Sequence, residues 1–310
     1  MSFETHLGID PKDGQSYPIP LSPPLPDMSM QIELSRAMAA SSRSSIFSLS
    51  PADVIFHDEW LVVVNKPPGV YCEAVLSSLP RFLQTDVSAP DSFELHLVNR
   101  LDRDTSGVMV ITKSHKVAAK LVKSFTDHQV TKVYTALCVG SSPRWGKITL
   151  QSGHGRSKFG VWRVYAASDV GRSLPGRSGV RDAETLFEAV SINGELCSQG
   201  PTQLMKDEDN VVAAEEKRDG VSVAEKRDEI LIRAYPRSGR THQIRLHCQY
   251  LGIPIRGDVK YGGAYEWNGR TFDGHALHAE SLSLQHPITG LPVVFQAPLP
   301  SWATQALQPL

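Results

Sequence analysis

The sequence predicts an α+β fold built on a mixed, largely antiparallel sheet with flanking helices and loops, and three observations carry that expectation. Strand-like segments outnumber helical ones along the chain. Strand and helix do not alternate in the regular way that builds a parallel, doubly wound sheet. No segment repeats, so a stacked-repeat architecture is not expected either.

The elements follow in order. Tyr17–Pro26 is rich in proline and Ala39–Ser50 in alanine and serine, with little periodic apolar surface to offset the entropy of ordering. Residues 1–50 are therefore expected to be a disordered or loosely attached extension, ahead of one folded domain over 51–310. Trp60–Val64 is a β-branched run that reads as a strand, and Asn65-Lys-Pro-Pro-Gly69 must turn. Gly107–Thr112 reads as a second strand. Ser114–His128 is amphipathic, with Val117, Leu121 and Phe125 on one helical face. Val133–Val139 and Thr185–Ile192 are further strands. Over 193–227 apolar pattern is sparse and charge dense, which suggests a surface insertion. Glu229–Tyr235 resumes as a strand. Thr241–Tyr250 reads as a short helix with Gly252 at its end, and Leu277–Leu284 and Val293–Ala297 complete the sheet.

Composition narrows the class. Hydrophobic residues make up 41% and charged residues 21%, ordinary values for a globular protein. No apolar run approaches the roughly 20 residues needed to span a bilayer, so no membrane partner is expected. Cys72, Cys138, Cys197 and Cys248 are scattered without a CxxC pair, which argues against a zinc ribbon or a thioredoxin-like site. The net charge of −1 conceals an uneven distribution. From His96 to Lys132 seven Lys/Arg face three Asp/Glu, a balance of +4; from Lys206 to Glu229 five face nine, a balance of −4. Phosphate binding depends on such local patches rather than on the sum. The acid-free, Ser-rich Arg36–Ser50 has the composition of a transit peptide, yet acids precede it. An intracellular location, cytoplasm or nucleus, is expected, with an organelle left open.

Two clusters can carry chemistry. Asn99-Arg-Leu-Asp-Arg-Asp-Thr-Ser-Gly107 packs charge into a turn just before a strand, where a carboxylate must be paired or hydrogen-bonded. Asp104 or Thr105 can be read there as a turn cap bonding the backbone ahead. In Arg237-Ser-Gly-Arg-Thr-His-Gln-Ile-Arg245, Gly239 allows a tight backbone and Thr241 is placed to cap a helix start. Arg245 lies one turn in, able to reach back to a carboxylate. His242 and His247 are five apart and diverge, and His275, His278 and His286 have no ligand spacing, so no metal site is expected.

The chain resembles the RluA-type RNA pseudouridine synthases over nearly all of Val54–Pro300. The likeness rests on Asp58-Glu-Trp-Leu-Val-Val-Val-Asn-Lys-Pro-Pro-Gly69, Arg100-Leu-Asp-Arg-Asp-Thr-Ser-Gly107, Lys132-Val-Tyr134 and Gly239-Arg-Thr-His-Gln-Ile-Arg245. It continues through Gly252-Ile-Pro-Ile-Arg-Gly-Asp258, Tyr261-Gly262, Leu277-His-Ala279 and His286-Pro287. The resemblance implies that Asp102 acts on the ribose of a target uridine while its base is detached. It makes Tyr134 the aromatic that stacks on the uracil and helps remove the C5 proton, and Arg245 the partner that holds Asp102 ionised. Arg100 would help take the uridine from its stack, and Leu277 would line the uracil pocket. Lys66, Arg103, Arg240, Thr241, His242 and Gln243 are the remaining expected RNA contacts.

Several further expectations follow from that likeness. The reaction needs no cofactor, and the base must leave its helix into a central catalytic cleft that excludes water. The partner is RNA, whether tRNA, rRNA or another, and the protein is expected to act as a monomer. Three features depart from the family: Asn99 where bacterial members usually carry His, no small basic RNA-binding domain in 1–50, and the length of 193–227. Two rival readings remain at this level. One is a non-catalytic RNA-binding protein on the same scaffold; the other is a glycosyltransferase using Asp102-Arg-Asp104 as a metal-binding DxD triplet.

Overall fold

The computed structural model describes residues 16–26, 29–83, 94–176, 178–197, 202–205 and 227–308. Their strands in chain order are β1 (Val54–His57), β2 (Leu61–Lys66), β3 (His96–Leu97), β4 (Ser106–Thr112), β5 (Thr131–Gly140) and β6 (Lys147–Arg156). Then come β7 (Trp162–Tyr165), β8 (Arg181–Ile192), β9 (Glu195–Leu196), β10 (Thr202–Met205) and β11 (Asp228–Pro236). The last four are β12 (Glu266–Trp267), β13 (Arg270–Thr271), β14 (Leu277–Gln285) and β15 (Pro292–Gln296). The α-helices are α1 (Ser29–Ser45), α2 (Cys72–Leu83), α3 (His115–Thr126), α4 (Gln243–Tyr250) and α5 (Ser301–Gln305).

One 13-stranded sheet runs β1-β2-β4-β14-β5-β11-β8-β6-β10, with β3, β7, β9 and β15 attached beside it. Among the described pairings only β4–β14 and β6–β10 are parallel. The fold is thus α+β on a mixed, largely antiparallel sheet.

Period-two alternation explains the core. Leu61 and Val63 of β2 join Val108 and Val110 of β4 on the face covered by α3. Val62 and Val64 join Met109 and Ile111 on the opposite face, against α2. Both faces are covered, so these strands read as unbroken apolar runs. A separate core lies where β5, β8 and β11 meet α4 and α5.

Gly107 lets the parallel β4–β14 junction close. Its φ is +108°, and a Cβ there would sit 2.2 Å from the Ala279 carbonyl oxygen. This junction places the loop that precedes β4 beside the start of β14.

One expectation about segments is corrected. The loose extension does not hold for Ser29–Ser45, which form the 17-residue helix α1. Its attachment is polar, through the buried Arg36, so no buried apolar stripe ties it to the body. The rest of 1–50 is described at 16–26 and 46–50, where Leu21 N–H donates to Val164 O. Within 193–227, β9 pairs with β8 and β10 with β6, so its described part adds strands to the sheet edge. Residues 198–201 and 206–226 lie outside the described residues. Helix α2 was not anticipated, because Pro80 inside it reads locally as a helix breaker. Strand β6 was obscured by polar residues: Ser152 and His154 are buried, and Ser152 Oγ sits 3.0 Å from His247 Nε2.

Candidate active site

Asp102 sits in the loop between β3 and β4, and its carbonyl accepts the Thr105 N–H at 3.1 Å. The loop is held from three directions. Asn99 Oδ1 accepts the Val110 N–H at 2.8 Å, and Asn99 Nδ2 donates to Val108 O, stitching the loop to β4. Asn99 therefore supports the backbone and does not face the cleft chemistry. Lys66 Nζ donates to Pro67 O, Val70 O and Arg103 O at 2.9, 2.7 and 3.0 Å. Thr105 Oγ1 lies 2.7 Å from His275 Nε2.

Arg245 reaches Asp102 from the first turn of α4. Its Nη1 donates to Asp102 Oδ2 at 2.8 Å, while Nε and Nη2 grip Asp258 at 2.6 and 2.8 Å. Tyr261 lies beneath the guanidinium, 5.0 Å from ring centroid to Cζ. Two carboxylates thus share one buried cation, and the bidentate half of that contact fixes its plane. Burial acts to raise the Asp102 carboxyl. The field of Arg245 and its hydrogen bond outweigh it and hold the carboxyl well below the usual range. Its side chain remains 28% exposed, open to the cleft.

His242 Nε2 lies 3.9 Å from Asp102 Oδ1, and its Nδ1 lies 2.7 Å from Tyr261 Oη. Burial, reinforced by Arg245, lowers the His242 imidazole to about 3. It is neutral at physiological pH, so this contact is not an ion pair. His242 also occupies the N-cap position in a left-handed conformation, φ 58°. This corrects the capping expectation for Thr241, whose carbonyl instead accepts from His154 Nε2 at 2.8 Å.

A cleft of about 590 Å³ opens over Asp102, with Tyr71, Arg100, Thr241, Lys260 and His275 among its walls. A recess of about 120 Å³ continues past Asp102 and is lined by Tyr134, Ile244, Leu277 and Lys132. Tyr134 projects from β5 and Leu277 begins β14, adjacent strands of the sheet. Burial, then the Asp102 charge, pushes the Tyr134 phenol up to about 12.

The structure sorts the expected contact residues. Arg100 is 75% exposed and lines the cleft, and among the described residues its ion pair is a weak surface one with the exposed Glu73 at 3.2 Å. Arg240 lines both openings while its Nη2 holds Asp182 at 2.7 Å. The Thr241 side chain is on the cleft wall.

Three of the expected RNA contacts are corrected. Lys66 is fully buried with its ammonium spent on carbonyls. Arg103 donates two hydrogen bonds to the Asp104 carboxylate at 2.8 and 2.6 Å and reaches Glu33 at 3.3 Å. Gln243 is buried and spends its amide on Ser238 Oγ, Arg240 N–H, Glu184 O and Thr185 Oγ1. Lys66 braces the site from behind, and Arg103 and Gln243 border the cleft and the recess with their polar groups already engaged. The Arg103 pair also overturns the reading of Asp104 as a turn cap.

Asp258, Lys260 and Tyr261 were not singled out individually. Asp258 lies 13 residues from Arg245, a separation with no fixed helical or strand geometry. Its signal was a carboxylate beside Arg256 in the short Ile253-Pro-Ile-Arg-Gly-Asp-Val259 stretch.

Asp102 and Asp104 turn away from each other, each to its own arginine, so the DxD pair does not converge on one point. Among the described residues no group of three or more His, Cys, Asp or Glu could hold a metal ion.

A sequence model described as RNA pseudouridylate synthase matches residues 60–250. The chain is 61% identical over 292 residues to RNA pseudouridine synthase 1 of Arabidopsis thaliana, covering 93% of this chain and 87% of that protein. It is 60% identical over 291 residues to RNA pseudouridine synthase 1 of Oryza sativa subsp. japonica, covering 93% and 84%. In fold it is similar to the solved human RNA pseudouridylate synthase domain containing 4. That likeness has TM-score 0.53 and 22% identity, over 89% of this chain and 96% of the other. With 60–250 matched and identity this high over most of its length, the chain belongs to the RNA pseudouridylate synthase family.

Proposed function

We propose that Asp102, Arg245 and Tyr134 form the reaction centre of this RNA pseudouridine synthase, with Asp102 acting on the ribose of the target uridine. The enzyme is an isomerase and its substrate is RNA. The N1–C1′ bond of a uridine breaks, the base turns over, and a C5–C1′ bond forms; C5 gives up a proton and N1 gains one. One observation carries the assignment: Asp102 is the carboxylate that faces the cleft while its cation is locked behind it by a second carboxylate, Asp258.

This geometry supports the chemistry in steps. Arg245 is oriented before any RNA arrives, so Asp102 meets the ribose ionised and aimed, without reorganisation during reaction. The extruded base needs an aromatic platform, and Tyr134 with Leu277 supplies an apolar recess for it. With its phenol near 12, about one part in 10⁵ is ionised at pH 7. Tyr134 therefore serves as a platform rather than as a resident base. Arg100, tethered only at the surface, suits the space vacated by the uridine. Arg240 and Thr241 suit phosphate and sugar contacts at the rim.

The test is Asp102→Asn in the full-length protein. Arg245 keeps its bidentate partner Asp258 in that variant, so folding is preserved. Release of tritium from [5-³H]uridine-labelled RNA of cells lacking the protein should fall to background. Substantial release by the variant overturns the assignment. A non-catalytic RNA-binding role predicts that the wild-type protein releases no tritium at all.

A further inference from the structure

Helix α1 touches both arms of the reaction centre. From one turn, Glu33 Oε2 accepts from Arg103 Nη2 at 3.3 Å, and Arg103 in turn holds Asp104, two residues from Asp102. From the next turn, Arg36 Nη1 donates to Gly257 O at 2.7 Å and Nη2 donates to Phe272 O. Gly257 immediately precedes Asp258, the clamp on Arg245. Further along α1, Ser44 Oγ accepts the Tyr71 N–H at 3.1 Å, in the turn whose Gly69 N–H donates to Arg103 O at 2.9 Å.

The chemistry of this attachment is unusual for a helix that only adds stability. Of its buried residues, Ser29, Arg36 and Ala40, only Ala40 is apolar. Met30, Leu34 and Met38 are 78%, 63% and 66% exposed instead. A stabilising helix buries its apolar face. Here the apolar stripe faces outward, and a guanidinium is buried to bond two main-chain carbonyls in loops that end at the active site.

We propose that α1 is a brace spanning the two arms, and that Arg36 is a positioning residue for the uridine isomerisation. Arg36 holds the Gly257–Asp258 turn, Asp258 sets the plane of Arg245, and Arg245 aims Asp102. Glu33 and Ser44 tie the same helix to the Asp102 loop, so the two arms keep a common reference. This rests on the reading of Asp102 as the catalytic group.

Full-length Arg36→Met, Arg36→Lys and Asp102→Asn are to be assayed side by side. The readouts are kcat and KM for tritium release from [5-³H]uridine-labelled RNA of cells lacking the protein, at two temperatures well below each Tm. Arg36→Met should lose roughly tenfold to a hundredfold in kcat, the scale of a small misplacement of reacting groups, with KM within about twofold. Arg36→Lys keeps the charge and one carbonyl contact and should fall between Arg36→Met and wild type. A kcat equal to wild type, a loss confined to KM, or a loss that disappears at the lower temperature overturns the brace. If Arg36→Met does not fold, Arg36→Lys decides: a kcat several-fold below wild type at unchanged KM supports the brace, and wild-type kcat overturns it. Activity retained by Asp102→Asn sinks the catalytic reading itself. An inert Asp102→Asn beside a fully active Arg36→Met sinks the brace alone.

Discussion

The two arms of the site are held in different ways. The Asn99–Thr105 loop is fixed largely by main-chain groups: its Arg103 carbonyl accepts from Lys66 Nζ and the Gly69 N–H, and its Asn99 amide is bonded to the β4 backbone. The start of α4 is fixed through side chains: Gln243 spans Ser238 to Thr185, His247 lies between Ser152 and Thr185, and Asp258 clamps Arg245. A backbone-held loop leaves side chains such as Arg100 and Asp102 turned to the cleft. A helix held by side chains spends several of them on rigidity, while Arg245, His242 and the rim residues Arg240 and Thr241 reach the cleft. Arg100 and Arg103 show the contrast within a single motif, with side chains 75% and 14% exposed.

The largest effect is expected where the arms meet. Arg245→Met leaves Asp258, which is 1% exposed, without its cation, at a cost of about 4 kcal/mol. Chemical denaturation should show that loss, and pseudouridine formation should be undetectable. An active variant of near wild-type stability would remove Arg245 from the centre of both arms.

The next test separates the arms by pH. Burial is the leading cause that lowers His154 to about 4, and His242 and His247 to about 3; all three surround α4. Their ordinary value is 6.5, so below it the unfolded chain takes up protons that the folded chain refuses. Stability present above pH 6.5 is lost as pH falls toward 4 and 3. Asp102 has the opposite displacement. Its contribution is present above the ordinary 3.8 and is lost only as pH falls through its still lower folded value. Burial displaces His275, which holds Thr105 of the Asp102 loop, in the same direction, so the α4 arm should lead the acid lability through three such imidazoles and the Asp102 arm should share in it through one. Tm should decline steadily from pH 7 to 5, and His247→Gln should reduce that slope; a Tm independent of pH in that range contradicts the account.

The smallest effect on stability sharpens the contrast between neighbouring arginines. Arg100→Gln should change stability by less than about 0.5 kcal/mol and yet slow conversion. Arg103→Gln, which strands the buried Asp104, should cost about 3 kcal/mol. If both variants unfold at the same denaturant concentration, exposure does not divide their roles.

Local patterns made much of this molecule legible in advance. The β-branched runs at Leu61–Val64 and Met109–Ile111 marked central strands, because side chains alternate along a strand and both faces are covered. Val117, Leu121 and Phe125 marked α3 for the same kind of reason, a repeat read over a few residues. Helix α1 escaped, since its apolar stripe of Met30, Leu34 and Met38 faces outward and its anchor to the body is one buried arginine on two carbonyls. Gln243 and Lys66 were read as ligand contacts because polar side chains in a motif look alike until their partners are known.

The sequence by itself determined the fold class and the family and singled out Asp102 and Arg245 as candidates, because apolar periodicity and motif order are properties of neighbours along the chain. Only the tertiary structure decided which charges face the cleft and which face each other. Arg245 finds Asp102 across 143 positions and Asp258 across 13, and Arg36 finds Gly257 across 221. A buried charge must take whichever partner folding brings to it, and no spacing along the chain records that choice.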